Sequence, residues 1–127
     1  MAQPVSARLQ HKAQFQQGLD QAVVARSPHF VLHAPNGNPP PTDDQPSHWI
    51  GAVIPKRWAK RAVTRNTIRR QIYQAWAECY TRMPCGTHVV RLRQAFVPAQ
   101  FKSASSCALK AAIRQELRQL FEQQACA

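Results

Sequence analysis

Between Lys56 and Arg70 the chain reads KRWAKRAVTRNTIRR, seven cations and no acid. Arginine presents a planar fork of donors that matches phosphate oxygens, and each phosphate neutralised by Lys or Arg releases condensed counterions. Drawn as a helix, the run stacks Arg61, Arg65 and Arg69 at i, i+4 and i+8. Like charges at that spacing repel by about 0.2–0.5 kcal/mol per pair, so a polyanion outside the chain is needed to offset them. Asn66 adds an amide able to bond base edges, sugar hydroxyls or neighbouring backbone.

Other chemistry is harder to assemble. The acids are Asp20, Asp43, Asp44, Glu78, Glu116 and Glu122, and no HExxH, GxSxG or glycine-rich phosphate loop accompanies them. His29 and His33 share an even spacing that would put them on one face of a strand, as a metal pair, a base-contacting surface or simply two strand histidines. Cys79, Cys85, Cys107 and Cys126 lack CxxC or Cys/His metal spacing and read as reduced thiols. The residues describe a binder, with no catalytic group and no metal site of its own.

The whole-chain charge has the same origin as the local run. The 127 residues hold 17 Lys and Arg against 6 acids, a net +11, and residues 55–93 hold ten of those cations against Glu78 alone. Charge this concentrated marks a binding face. The N-terminus carries no apolar stretch of signal-peptide length, and no run of about 18 apolar residues suggests a membrane span, so a cytoplasmic location is expected.

The elements that must position this surface follow from periodicity. RLQHKAQFQQGL at 8–19 spaces Leu9, Phe15 and Leu19 for a first helix, with Ser6 as its N-cap. AVVAR at 22–26 and HFVLHA at 29–34 read as strands joined at Ser27 and Pro28. Residues 35–47, PNGNPPPTDDQPS, hold five of the ten prolines and read as a mobile solvated loop. WIGAVI at 49–54 is a buried strand ended by Pro55. The basic segment then runs as the longest helix to about Arg82, with Ile68, Ile72, Ala75, Trp76 and Cys79 on its apolar side. THVVRLR at 87–93 is a strand that alternates Val90 and Leu92 with Val89, Arg91 and Arg93, and residues 103–124 form an amphipathic helix on Leu109, Ile113, Leu117, Leu120 and Phe121, capped from Ser103, Ser105 or Ser106. The expectation is one α+β domain over 1–127: a single layer of four-stranded sheet packed with helices in αβββαβα order.

Residues 55–76, PKRWAKRAVTRNTIRRQIYQAW, resemble the signature of the bacterial ribonuclease P protein family. Lys56, Arg57, Arg61, Ala62, Arg65, Asn66, Ile68, Arg69, Arg70, Ile72, Gln74 and Trp76 fall on pattern positions. RLQHKAQF, HFVLHA, THVVRLR and the C-terminal helix are similar to the family's first helix, aromatic-led strand, last strand and last helix. Three positions depart: Thr67 stands for the second Arg of the Arg-Asn-Arg core, Tyr73 for a common Arg, and Leu19 for a frequent aromatic.

The resemblance implies a small RNA-binding protein, the accessory subunit of an endoribonuclease whose catalytic RNA uses Mg2+ to remove the 5′ leader of precursor tRNA. It implies a left-handed βαβ crossover carrying the basic helix, although right-handed crossovers are the general rule. Carried over by position, Lys56, Arg57, Lys60, Arg61, Arg65, Asn66, Arg69 and Arg70 form the face for the catalytic RNA. Lys12, Phe15, Val31 and His33 form the cleft for the precursor leader, if Phe30 and Leu32 point to the core. The opposite phase exposes Phe30 for base stacking. A ribosomal or other structural RNA-binding protein without a role in cleavage is the alternative, and a DNA-binding regulator using residues 58–82 is a further one, disfavoured by the helix's length.

Overall fold

The computed structural model describes residues 6–10, 12–34, 48–83, 86–96 and 107–124. The Pro-rich segment 35–47, the serines expected to cap the last helix, and two of the cysteines, Cys85 and Cys126, lie outside them. The described elements, in chain order, are β1 (Ser6–Arg8), α1 (Lys12–Leu19), β2 (Val23–Arg26), β3 (Phe30–His33), β4 (His48–Val53), α2 (Ala62–Cys79) with a 3-10 turn at Tyr80–Arg82, β5 (Gly86–Leu92) and α3 (Cys107–Gln124).

One mixed sheet runs in the order β1-β4-β5-β3-β2. β4 pairs in parallel with β1 on one side and β5 on the other, while β3 is antiparallel to both β5 and β2. The parallel β4–β5 pair cannot be joined by a tight turn, so the chain crosses over through α2. That crossover places the cationic segment between two strands at the centre of the sheet. Gly86 opens β5 at φ 122°, a conformation that a side chain would strain.

Alternation sorts the two faces of the sheet. Phe30, Leu32, Ile50, Ala52, Val90 and Leu92 turn to one side, where they meet Ile68, Ile72, Ala75 and Trp76 of α2 and Leu109, Ile113, Leu117, Leu120 and Phe121 of α3 in one core. Both helical stripes match the sequence expectation because each repeats every three or four residues. Trp76 is the largest fully buried side chain, and truncating it to Ala would cost about 3–5 kcal/mol. Phe30 is fully buried, which decides the strand phase against the stacking alternative.

On the other face, α1 lies directly on the strands. A Cβ at Gly18 would sit 2.3 Å from Val89 Cγ2, and one at Gly51 would sit 2.7 Å from Phe15 Cε1 and Leu9 Cδ1. Gly18 thus lets the helix backbone touch β5, and Gly51 receives the Phe15 ring.

Two expectations are corrected. The sheet has five strands, because Ser6–Arg8 pairs with His48–Ile50 and does not lead into the first helix. Ser6 is accordingly no N-cap: its hydroxyl accepts a hydrogen bond from the Trp76 indole at 2.7 Å. The helix starts at Lys12, and Gln14 reaches back to accept the Gln10 backbone N–H at 3.1 Å. A polar three-residue strand has no alternation to reveal it; its partner, distant in sequence, makes it a strand.

Candidate nucleic-acid interface

The cationic run is not one helix. Pro55 carbonyl oxygen accepts the N–H groups of Trp58 and Ala59, forming a turn that holds Lys56 and Arg57, and α2 begins only at Ala62. Arg61 is the N-cap, in extended conformation at φ −84°, ψ 136°, without a side-chain capping bond. The ladder Arg61–Arg65–Arg69 therefore starts one residue before the helix, and only Arg65 and Arg69 repeat along it. Four cations, Lys56, Arg57, Lys60 and Arg61, precede the helix N-terminus within six residues, all of them exposed.

Electrostatically this is an unusual place for them. Unsatisfied N–H groups give a helix N-terminus a partial positive charge, which favours acids, yet the first turn of α2 contains none. Among the described residues, no carboxylate forms an ion pair with any of the seven cations; the ion pairs found join His29 to Glu116 and Arg114 and Arg118 to Glu78. Positive side chains therefore lie within six residues of a positive helix end, with no acid in the first turn to offset either.

Arg65 organises the site from inside. Its guanidinium donates to the carbonyl oxygens of Ala59 at 3.0 Å and Lys60 at 2.8 Å, tying the preceding turn to the helix. Arg69 donates to the Asn66 side-chain oxygen at 3.1 Å, so these two exposed or half-buried side chains are oriented together. Arg70 is exposed beside them. Thr67 turns inward, buried, with its hydroxyl donating to the Val63 carbonyl at 2.9 Å; this departure from the family pattern leaves the exposed ridge unbroken. Tyr73 lies under the Arg8 guanidinium, whose carbon is 4.2 Å from the ring centroid.

The second predicted surface is assembled only in part. Lys12 is exposed at the start of α1, Phe15 is half-buried over Gly51, and Val31 and His33 lie on that same face of the sheet. Val31 and His33 are, however, 4 % and 6 % exposed, covered from that side and not open to it. His33 Nδ1 donates to the Gln21 carbonyl at 3.0 Å, while Nε2 is buried and without a partner among the described residues. The half-buried residues in register with Val31 are Arg91 and, across it, Val53. Arg91 was legible in THVVRLR, where it alternates with Val90 and Leu92, but was not assigned to the cleft.

His29 and His33 do not act as a pair. His29 Nδ1 donates to Glu116 at 2.8 Å, whose other oxygen accepts from the Ser27 hydroxyl and the His29 N–H, and the His29 ring stacks on Phe96 at 3.9 Å. These contacts fasten the β2–β3 turn to α3. No group of three or more His, Cys, Asp or Glu able to hold a metal occurs among the described residues.

A mixed five-stranded sheet backed by two helices, with a crossover helix whose start is cationic and free of acids, defines a small basic α+β protein. The sequence model described as Ribonuclease P matches residues 4–124. The chain belongs to the ribonuclease P protein family. It is 39 % identical over 116 residues to the ribonuclease P protein component of Bordetella parapertussis, covering 90 % of this chain and 88 % of that one. With the component from Ralstonia pickettii it shares 39 % identity over 124 residues, 95 % of this chain and 81 % of the other. The solved structure of the Staphylococcus aureus RNase P protein superposes with a TM-score of 0.65 at 22 % identity, covering 91 % and 92 % of the two chains, and shows the same fold. No described helix is long and apolar enough to cross a membrane.

Proposed function

We propose that this chain is the protein subunit of ribonuclease P, gripping the catalytic RNA with the ridge at the start of α2 and the 5′ leader of precursor tRNA with the sheet face beside α1. The observation that carries the reading is the cluster of Lys56, Arg57, Lys60 and Arg61 at a helix N-terminus, with no acid in ion-pair reach among the described residues. Phosphates of a folded RNA satisfy both the side chains and the helix end, and the release of their counterions drives assembly. Arg65 holds the turn in place, while Asn66, Arg69 and Arg70 extend the grip along the helix.

The leader runs over Lys12, Phe15 and Arg91, with Val53 and Val31 beneath it. Lys12 and Arg91 neutralise phosphate, and the Phe15 edge supplies an apolar contact. His33 acts from below by holding the α1–β2 connection through Gln21. Mg2+ and the hydrolytic step belong to the RNA in this reading, and the protein contributes binding and orientation in the cytoplasm.

Purified protein added to ribonuclease P RNA and precursor tRNA at low Mg2+ tests it. Leader removal should accelerate and precursor affinity should rise. Tight RNA binding with no change in either quantity would favour a structural RNA-binding protein and overturn the reading.

A further inference from the structure

The flank of α2 that faces β1 carries a second kind of site. Arg65, Arg69, Tyr73 and Ala77 repeat at i, i+4, i+8 and i+12, and Tyr80 follows three residues on, so all five lie along one side of the helix. The opposite flank is taken: Gln71, Gln74 and Glu78 accept hydrogen bonds from Arg114 of α3. On the β1 flank, Ser6, Arg8, Tyr73, Trp76, Ala77 and Tyr80 border an open groove of about 470 Å3.

The groove is built from side chains suited to a flat aromatic ligand. Arg8 lies over Tyr73 with its outer side exposed, and Tyr80 stacks on Trp76 with 28° between the rings. Ala77, with the smallest side chain of the row, leaves the space between the two tyrosines. The Trp76 indole is steadied by Ser6, which ties the groove's strand wall to its helix wall. One helical turn of about 5.4 Å separates Arg69 from Tyr73, so a phosphate on the arginine brings the adjoining base to the tyrosine.

We propose that this groove receives one unstacked base of the catalytic RNA, seated against the Arg8–Tyr73 stack, with its phosphate on Arg69. The inference rests on the reading of the ridge as the catalytic-RNA face and extends that face down the helix. The source is the catalytic RNA and not the precursor, because the groove continues the α2 ridge and lies at the β1 edge on the α2 side of the sheet, away from α1. Stacking on an aromatic, reinforced by a guanidinium, holds a base without needing a particular sequence.

The test compares the wild-type chain with Tyr73→Phe, Tyr73→Leu and Arg8→Gln, each bound to the ribonuclease P RNA of a Bordetella relative, reading affinity and protection of unpaired bases from dimethyl sulfate (A and C) and from a carbodiimide (U and G). Tyr73→Leu is expected to weaken binding about tenfold and to unmask one base, while Tyr73→Phe keeps affinity within about twofold and the base protected. Arg8→Gln, at an exposed position that does not threaten folding, is expected to unmask the same base with a loss of about threefold. Unchanged protection in both Tyr73→Leu and Arg8→Gln overturns the assignment, as does a base unmasked in the precursor leader instead. Leader removal by the wild-type complex is read separately: RNA bound and the base protected without faster cleavage overturns the ribonuclease P reading and leaves the groove standing.

Discussion

Arg65 donates its guanidinium to the Lys60 carbonyl oxygen at 2.8 Å, an inward bond made by a residue that the cationic pattern assigns to RNA. With the companion bond to Ala59, it ties the backbone at the end of the turn that carries Lys56, Arg57 and Lys60 to the helix. The most central cation of the motif is thus a brace for the others as well as a charge.

Arg65→Ala should therefore weaken RNA binding more than Arg70→Ala, although each removes one charge. Arg65→Ala is also expected to cost about 1–2 kcal/mol of folding stability through two lost charge-assisted bonds, whereas exposed Arg70→Ala should stay within about 0.5 kcal/mol. Equilibrium RNA binding and urea unfolding of both variants check this. Equal losses of affinity at unchanged stability would remove the brace.

The exposed cations at the start of α2 should show themselves in salt dependence. Replacing Lys56, Arg57 and Lys60 together by Gln is expected to flatten the slope of log K against log salt by roughly 2–3, at about 0.7–0.9 per lost phosphate contact. Binding isotherms with the catalytic RNA across a salt series measure it, and an unchanged slope would move the RNA face elsewhere.

Gly18→Ala should destabilise the fold even though Ala is the better helix former. The new Cβ would meet Val89 Cγ2 at 2.3 Å, and valine in a sheet cannot easily turn away. Overpacking of about 1–3 kcal/mol outweighs a helix gain of about 1 kcal/mol. Adding Val89→Ala should relieve the clash specifically, giving a positive coupling in a double-mutant cycle by urea unfolding.

His88 predicts an acid-side loss of stability. Burial pushes this imidazole down to about 4, against the partial support of its bond to the Gly86 carbonyl and with His48 nearby adding to the depression. The ordinary value of about 6.5 in the unfolded chain is higher, so on acidification the unfolded state binds the proton first. The contribution of His88 is whole above about pH 6.5 and declines by about 1.4 kcal/mol per unit down to about pH 4. Between about pH 7 and pH 5, wild type should lose about 2 kcal/mol more than His88→Leu in urea unfolding. The same loss in both would assign the pH dependence to other groups.

Cys79 should resist alkylation. Burial pushes its thiol up to about 11 despite the opposing charge of Arg82, so little thiolate exists near neutral pH. Peptide mapping after iodoacetamide at about pH 8 is expected to find exposed Cys107 modified and Cys79 reacting on the order of a hundredfold more slowly. Comparable rates would mean that the α2–α3 seam opens.

The core was legible at the level of single residues. Ile68, Ile72, Ala75, Trp76 and Cys79, and likewise Leu109 to Phe121, are buried where their spacing put them, because an amphipathic helix repeats its burial locally. Strand alternation left two phases open, and the burial of Phe30 and Leu32 in the core chose between them, turning Val31 and His33 to the α1 side. The start of the basic helix was not legible. Proline at position 55 permits either a helix or a turn after it, and the bonds that choose the turn come partly from Arg65, a residue further along.

The candidate surfaces divide along the same line. Charge type, charge density and the cation-rich segment that carries them are properties of composition and order, so the cationic stretch 56–70 could be singled out from the chain alone. β1 required Ser6 to meet His48 and Trp76, the latter 70 positions away, and only that meeting brings Arg8 onto Tyr73 and creates the groove beside α2. Likewise Arg91 joins the α1 face because β5 lies in register with both β3 and β4. Periodicity is written among neighbours within a turn or a pleat, whereas register and edge pairing depend on which distant segments bury their surfaces together, and that choice is made only when the whole sheet closes.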